Sequence, residues 1–396
     1  MGRGFLFLLL VLRIPAAVLY GEVPGTRDAG EYAALLARSL DDRELAAQVL
    51  LTGIDGKGVL EDSMRALLKR VPAGGILLFR YNLSVEKDRV APFLTAVTEA
   101  ASVRENLSDG VVTIPPFIAA DHEGGRVHRF GEGVKRLSAP ASYWTMASAR
   151  GWDTALASLE SAARFSGREL RSLGLTMNLA PVAEALTEKN RAFLDDRSYG
   201  PDPVFTEKAA AAFIRGMEAA GISCVVKHFP GNTGADPHKG VVTLSADKEE
   251  LDRMTAPIAA LIRSGAPAVM VSHALVPAWD RDRIASLSPL VIKTWLREKL
   301  GFTGIVLADD FSMSAAAAFS PTLEDAVVDA LNAGVDMVMT WPGNLTAIHA
   351  AILRALRGGR LNRKRLEEAA ERILYEKMRR GLIKMRIEKT EYEEAA

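Results

Sequence analysis

The 396-residue chain has one cysteine, Cys224, so it can close no disulfide within itself and carries no cysteine-rich metal site. It has no excess of charge either. Its 49 basic and 49 acidic residues cancel, which removes the electrostatic case for a nucleic-acid partner. No Gly-x-Gly-x-x-Gly follows the first strand-like segment, against a dinucleotide-binding open sheet, and no His-x-His pair stands there either, against a metal-dependent barrel hydrolase. The apolar run at residues 5–12, resumed at 14–19 after Arg13, is too short for a comfortable transmembrane helix. With Arg3 ahead of it and small residues near position 17, residues 1–22 resemble a secretory leader. No cysteine follows to take a lipid. The expectation is a periplasmic or secreted protein without a stable membrane partner once the leader is removed. A retained anchor, or a cytoplasmic protein with a misassigned start, is the alternative.

Hydrophobic content of 48% and charged content of 25% are those of an ordinary globular chain, so a large core is expected. A repeating grammar describes that core. Ser39-Leu40-Asp41-Asp42-Arg43-Glu44 reads as a capped helix start leading to an apolar stretch at 49–51. Gly74-Gly75 introduces the apolar residues 76–79. A helical stretch is expected from Ser84 to about Arg104, and Pro115-Pro116 precedes the apolar residues 117–120. Five helical segments then stop at Gly174, Gly221, Gly265, Gly301 and Gly334, each followed by a short strand that is apolar on both faces. Eight strands alternating with helices predict an α/β fold, a (β/α)8 TIM-type barrel in a single catalytic domain over residues 23–386. A doubly wound open sheet is the runner-up. Residues 361–382 read as a final helix, and residues 387–396 as a charged tail.

In such a barrel the catalytic groups stand at the C-terminal ends of the strands. Polar residues occupy that position repeatedly. The third strand ends in Asp121-His122-Glu123-Gly124-Gly125-Arg126-Val127-His128-Arg129, and the fourth near Asn178, with Arg197 in the loop beyond. The fifth ends in Lys227-His228-Phe229-Pro230-Gly231, the sixth in Ser272-His273, and the seventh in Asp309-Asp310. Asp310 suits the N-cap of a helix leading into residues 315–318, which leaves Asp309 facing the barrel mouth. Pro237 biases Asp236 towards an extended conformation, in which residues two apart share a side. The Asp236 carboxylate can then reach the His238 imidazole as a proton-transfer pair. A solvated turn is the plainer reading of that segment, and a structural histidine the plainer reading of His273.

Asp121-x-Glu-Gly-Gly-Arg-Val, Lys227-His-Phe-Pro-Gly with its following Asp-x-His, and Gly304-Ile-Val-Leu-Ala-Asp309-Asp310-x-Ser-Met together resemble glycoside hydrolase family 3, in order, over roughly residues 40–380. The branch they are most similar to is the single-domain β-N-acetylglucosaminidases. The resemblance implies that Asp309 is the nucleophile, His238 the general acid/base and Asp236 its partner. It implies that Asp121, Arg129, Arg197, Lys227 and His228 bind the terminal sugar. It implies a carbohydrate substrate and no cofactor or metal. The segment between Gly231 and Asp236 is shorter than in bacterial relatives, and Pro237 replaces a serine common there.

A retaining glycosidase needs a carboxylate nucleophile and a proton donor at the leaving oxygen. An imidazole, free pKa near ~6.5, can donate in the first step and accept in the second. Four other readings remain open on the sequence: a β-glucosidase of the same family, a phosphorylase, a metal-dependent hydrolase using His228, His238, His273 and Asp309, and a non-catalytic carbohydrate-binding protein.

Overall fold

Eight short apolar segments become the parallel strands of one closed barrel: β1 (Leu50–Gly53), β2 (Gly75–Leu78), β3 (Phe117–Ala120), β4 (Met177–Asn178), β5 (Ser223–Phe229), β6 (Ala268–Val271), β7 (Ile305–Ala308) and β8 (Met337–Thr340). The computed structural model describes residues 26–107, 110–235, 240–311 and 319–386. The expected leader and charged tail, Asp236 with His238, and the helix expected at 315–318 lie outside the described residues. Each strand pairs with its successor, and β8 closes on β1 with Leu50 opposite Val338 and Thr52 opposite Thr340. Every residue of the eight strands is buried. Helices cover the outer face and side chains fill the inside, so the strands show no polar alternation.

The helix ends follow the local chemistry. Asp41 and Glu44 form a reciprocal capping box at the helix Asp42–Gln48, with Glu44 N donating to Asp41 Oδ1 at 2.8 Å and Asp41 N to Glu44 Oε2 at 3.0 Å. Gly174 and Gly334 end their helices at φ 104° and 116°, and each amide donates back to the last turn. A side chain at either position would be strained.

Two boundaries differ from expectation. The helix Lys87–Ala101 stops short of Arg104, because Val103–Leu107 forms a strand paired antiparallel with Gly110–Ile114. The last helix runs Arg363–Arg379, and Lys384–Arg386 then adds a third strand to that pair. The pairing that defines this small sheet spans some 270 residues of sequence, so local pattern does not announce it.

The N-terminal end of the barrel buries charge. Asp336, just before β8, is fully buried and accepts from Arg297, from Arg365 at 2.6 Å and from Arg372 at 3.1 Å, and also from Val306 N at 2.9 Å. Nearby, Lys377 of the last helix is completely buried, with Nζ 2.9 Å from Gln48 Oε1 and 5.4 Å from the centre of the Phe117 ring.

Candidate active site

At the opposite end, β3 delivers Asp121 and Glu123 into a cavity of about 710 Å³. The turn that carries them is pinned by Asn178 at the end of β4, whose Oδ1 accepts from His122 N at 2.9 Å and whose Nδ2 donates to His122 O at 3.0 Å. His122 itself points away, with Nε2 3.0 Å from Ser166 Oγ. Burial, then the neighbouring His128, push its pKa down to about 3, so it stays neutral. From β5, both Lys227 and His228 reach the cavity. In a regular strand consecutive side chains face opposite ways. Here the β5–β6 ladder shifts register between Val226 and Phe229, giving β5 one extra residue, a bulge of the kind that re-aims side chains.

Lys227 is 3% exposed and binds two carboxylates, Asp121 Oδ1 at 2.8 Å and Glu123 Oε1 at 2.7 Å. Arg129 holds the other Asp121 oxygen at 2.9 Å, and Arg197 grips Glu123 with Nε at 2.8 Å and Nη2 at 2.9 Å. Burial alone would raise the Asp121 pKa, but Lys227 and then Arg129 outweigh it and hold the carboxyl well below its usual range. Glu123 is treated likewise by Lys227 and Arg197 and falls to about 2. Burial would lower the Lys227 pKa, and Asp121 followed by Glu123 raise it instead. Asp121, Glu123, Lys227 and Arg197 are therefore charged near neutral pH, and with Arg129 three basic side chains face two acidic ones. A rigid, partly desolvated set of charges of this kind suits the hydroxyl groups of a sugar, which both donate and accept.

Asp309 follows β7 and lines the same cavity, its amide donating to Val271 O at 3.1 Å. Asp310 N donates to Asp309 Oδ1 at 2.9 Å, and Asp310 Oδ2 accepts from Trp341 Nε1 at 2.9 Å. Gly53 makes room for that indole: a Cβ there would stand 2.8 Å from Trp341 Cε3. Trp341 stacks on Phe79 with ring centres 4.8 Å apart, and Phe79 forms one wall of the cavity. His273 serves the backbone. Its Nε2 donates to Asp310 O at 3.0 Å, because a carbonyl can only accept, and its Nδ1 takes the hydroxyl hydrogen of Ser286 at 2.7 Å. Burial lowers its pKa in spite of Asp309.

The fold thus brings Asp121, Arg129, Arg197, Lys227, His228 and Asp309 to one cavity, while Asp236 and His238 lie outside the described residues. With both ring nitrogens engaged, His273 is not available as a metal ligand. Among the described residues no group of three or more His, Cys, Asp or Glu is placed to hold a metal ion. Sequence reasoning assigned no part to Glu123, although it quoted it, and it passed over Glu184, Asn232, Phe79 and Trp341. An acidic residue within the apolar run 179–186 was the available signal for Glu184, yet its partners are 44 and 48 residues away.

The family model described as the glycosyl hydrolase family 3 N terminal domain matches residues 44–375. Similar proteins include a β-hexosaminidase of Methylococcus capsulatus, 35% identical over 298 residues, covering 74% of this chain and 82% of that one. A β-hexosaminidase of Stenotrophomonas maltophilia is 35% identical over 317 residues, covering 78% and 88%. Among solved structures, a family 3 β-N-acetylglucosaminidase from Paenibacillus superposes with a TM-score of 0.77 at 31% identity, over 87% of this chain but 63% of that longer one. A family 3 member from Mycobacterium smegmatis superposes with a TM-score of 0.72 at 28% identity, over 85% of this chain and 97% of that one.

Proposed function

The chain belongs to glycoside hydrolase family 3, and from there we propose that it is a retaining β-N-acetylhexosaminidase releasing terminal β-linked N-acetylglucosamine from peptidoglycan fragments or chito-oligosaccharides. The observation that carries this reading is Asp309 beside the buried Asp121–Lys227–Glu123–Arg197 network in one cavity, in a chain about a third identical to proteins named β-hexosaminidase. Asp121, Arg129, Arg197, Lys227 and His228 hold the terminal sugar. Asp309 attacks the anomeric carbon and forms a glycosyl ester. His238, partnered by Asp236, protonates the leaving oxygen and then takes a proton from the incoming water. An imidazole donor also spares the site a second negative charge opposite the nucleophile. Residues 1–22 direct export and are removed, residues 23–386 form the catalytic domain, and residues 387–396 are a tail.

The deciding experiment compares aryl β-N-acetylglucosaminide with aryl β-glucoside, with and without phosphate. Fast cleavage of the first, with free sugar of retained configuration as product, is expected. Equal rates or a preference for the glucoside would move the chain to another specificity, and a phosphate-dependent sugar phosphate would make it a phosphorylase. Mass spectrometry of the protein from its host should find an N-terminus between residues 17 and 26. Intact Met1 on the soluble protein would refute the leader.

A further inference from the structure

Glu184 is a carboxylate with no assigned part in the reaction, yet its side chain takes four hydrogen bonds. It is 3% exposed. Its Oε1 accepts from His228 N at 3.2 Å, lies 2.7 Å from His228 Nδ1 and accepts from Asn232 Nδ2 at 2.8 Å. Its Oε2 accepts from Asn232 N at 2.6 Å. One side chain therefore spans the segment from His228 to Asn232, bridging Phe229-Pro230-Gly231. The direction of the His228 bond follows from this count. Three N–H donors already face the two oxygens, so the carboxylate acts purely as an acceptor and the fourth partner, Nδ1, carries a proton. His228 lines the cavity, and with Nδ1 committed the nitrogen left to face a ligand is Nε2.

We infer that Glu184 is a positioning residue: it locks His228 in the Nδ1–H tautomer, so that Nε2 is presented to the substrate as a hydrogen-bond acceptor for one sugar hydroxyl. This rests on the proposal that His228 binds the terminal sugar. Glu184 touches no substrate atom and acts through the imidazole. A glutamine is nearly the same shape but turns one oxygen into an N–H donor, which then faces donors. His228 loses its acceptor or shifts to the Nε2–H tautomer, whose cavity-facing nitrogen donates where it should accept.

The test uses the full-length protein with ¹⁵N-labelled histidine. The resonances missing from His228→Ala identify His228, and the wild type should show a protonated Nδ1 and an unprotonated Nε2 at neutral pH. An Nε2–H tautomer or an imidazolium in the wild type would overturn the inference without any variant having to fold. Glu184→Gln should lower kcat/KM on aryl β-N-acetylglucosaminides by roughly 2- to 10-fold, the equivalent of one lost hydrogen bond between neutral groups. The loss should be the same for good and poor leaving groups. In the His228→Ala background the same substitution should cost almost nothing, since its path to the substrate is gone. Additive losses there would sink the idea. Glu184→Asp, still an anion but one methylene shorter, should recover part of the rate. Failure of the wild type to cleave the N-acetylglucosaminide would refute the proposed reaction and leave the tautomer measurement standing as a separate result.

Discussion

The two ends of the barrel bury charges of the same kinds and use them differently. At the N-terminal end, the donors around Asp336 are also tied to main-chain carbonyls. Arg297 donates to Phe302 O and Gly304 O, and Arg365 to Leu331 O, Gly334 O and Val335 O. Each guanidinium fastens a loop to a strand or to the last helix, so the cluster works as a staple. At the C-terminal end, among the described residues, Lys227 and Arg197 hydrogen-bond only to side-chain carboxylates, and Arg129 Nε is buried without a hydrogen-bond partner. That end keeps donor capacity beside a cavity. A buried ion pair is by itself weak evidence of stability, and the contrast shows where to look instead: at what the remaining donors face.

The comparison can be broken first at the chemistry. Asp309→Ala should reduce kcat by at least ~10⁴-fold, as loss of a nucleophile does, while thermal unfolding moves little. An active Asp309→Ala would place the chemistry elsewhere. At the other end, Asp336→Asn leaves three guanidiniums around a neutral group and should cost about 3–5 kcal/mol in denaturant unfolding, with KM unchanged in whatever fraction stays folded. A changed KM with unchanged stability would reverse the roles of the two ends.

Smaller effects separate the ends by pH. Asp121 and Glu123 have folded-state pKa values below their ordinary 3.8 and 4.5. The stability they contribute is complete above those ordinary values and is lost as pH falls towards about 2. Lys227→Met removes the shared cation and should flatten or reverse this acid slope in calorimetric scans. Lys377 gives a slope of the same sign in a higher pH window, because burial pushes its pKa from 10.5 down to about 7. Between those values the unfolded chain binds the extra proton, so folding stability should climb with pH there, and Lys377→Met should abolish that climb. An unchanged slope in Lys377→Met would mean that Gln48 and the Phe117 ring keep the amine fully charged.

Much of this architecture could be read beforehand because its cues are local. Helix stops such as Gly174 and Gly334, and strands with no polar alternation, need only their own neighbours. Asp121, Lys227, His228 and Asp309 announced themselves as polar residues at the ends of otherwise apolar strands. Glu184 did not, because only the fold brings it against His228. The same holds for Trp341, which meets Asp310 and Phe79 only once β8 has closed on β1, and for the paired strands Val103–Leu107 and Gly110–Ile114, whose third partner comes from residues 384–386. The side chains that hold the site were hidden for a common reason: their function is to join distant parts of the chain.

The closure of β8 on β1 also governs how the protein comes into being. Leu50 cannot meet Val338 until about 290 further residues have been made, and the helix Thr26–Ser39 packs on the still later helix Arg363–Arg379. At ~5–20 residues per second, the exposed edge of β1 waits roughly 15–60 s on the ribosome for its partner. An open parallel sheet with apolar faces is during that time a target for chaperones and for its own copies. A nascent chain interrupted before β8 should yield aggregate rather than a partly active enzyme.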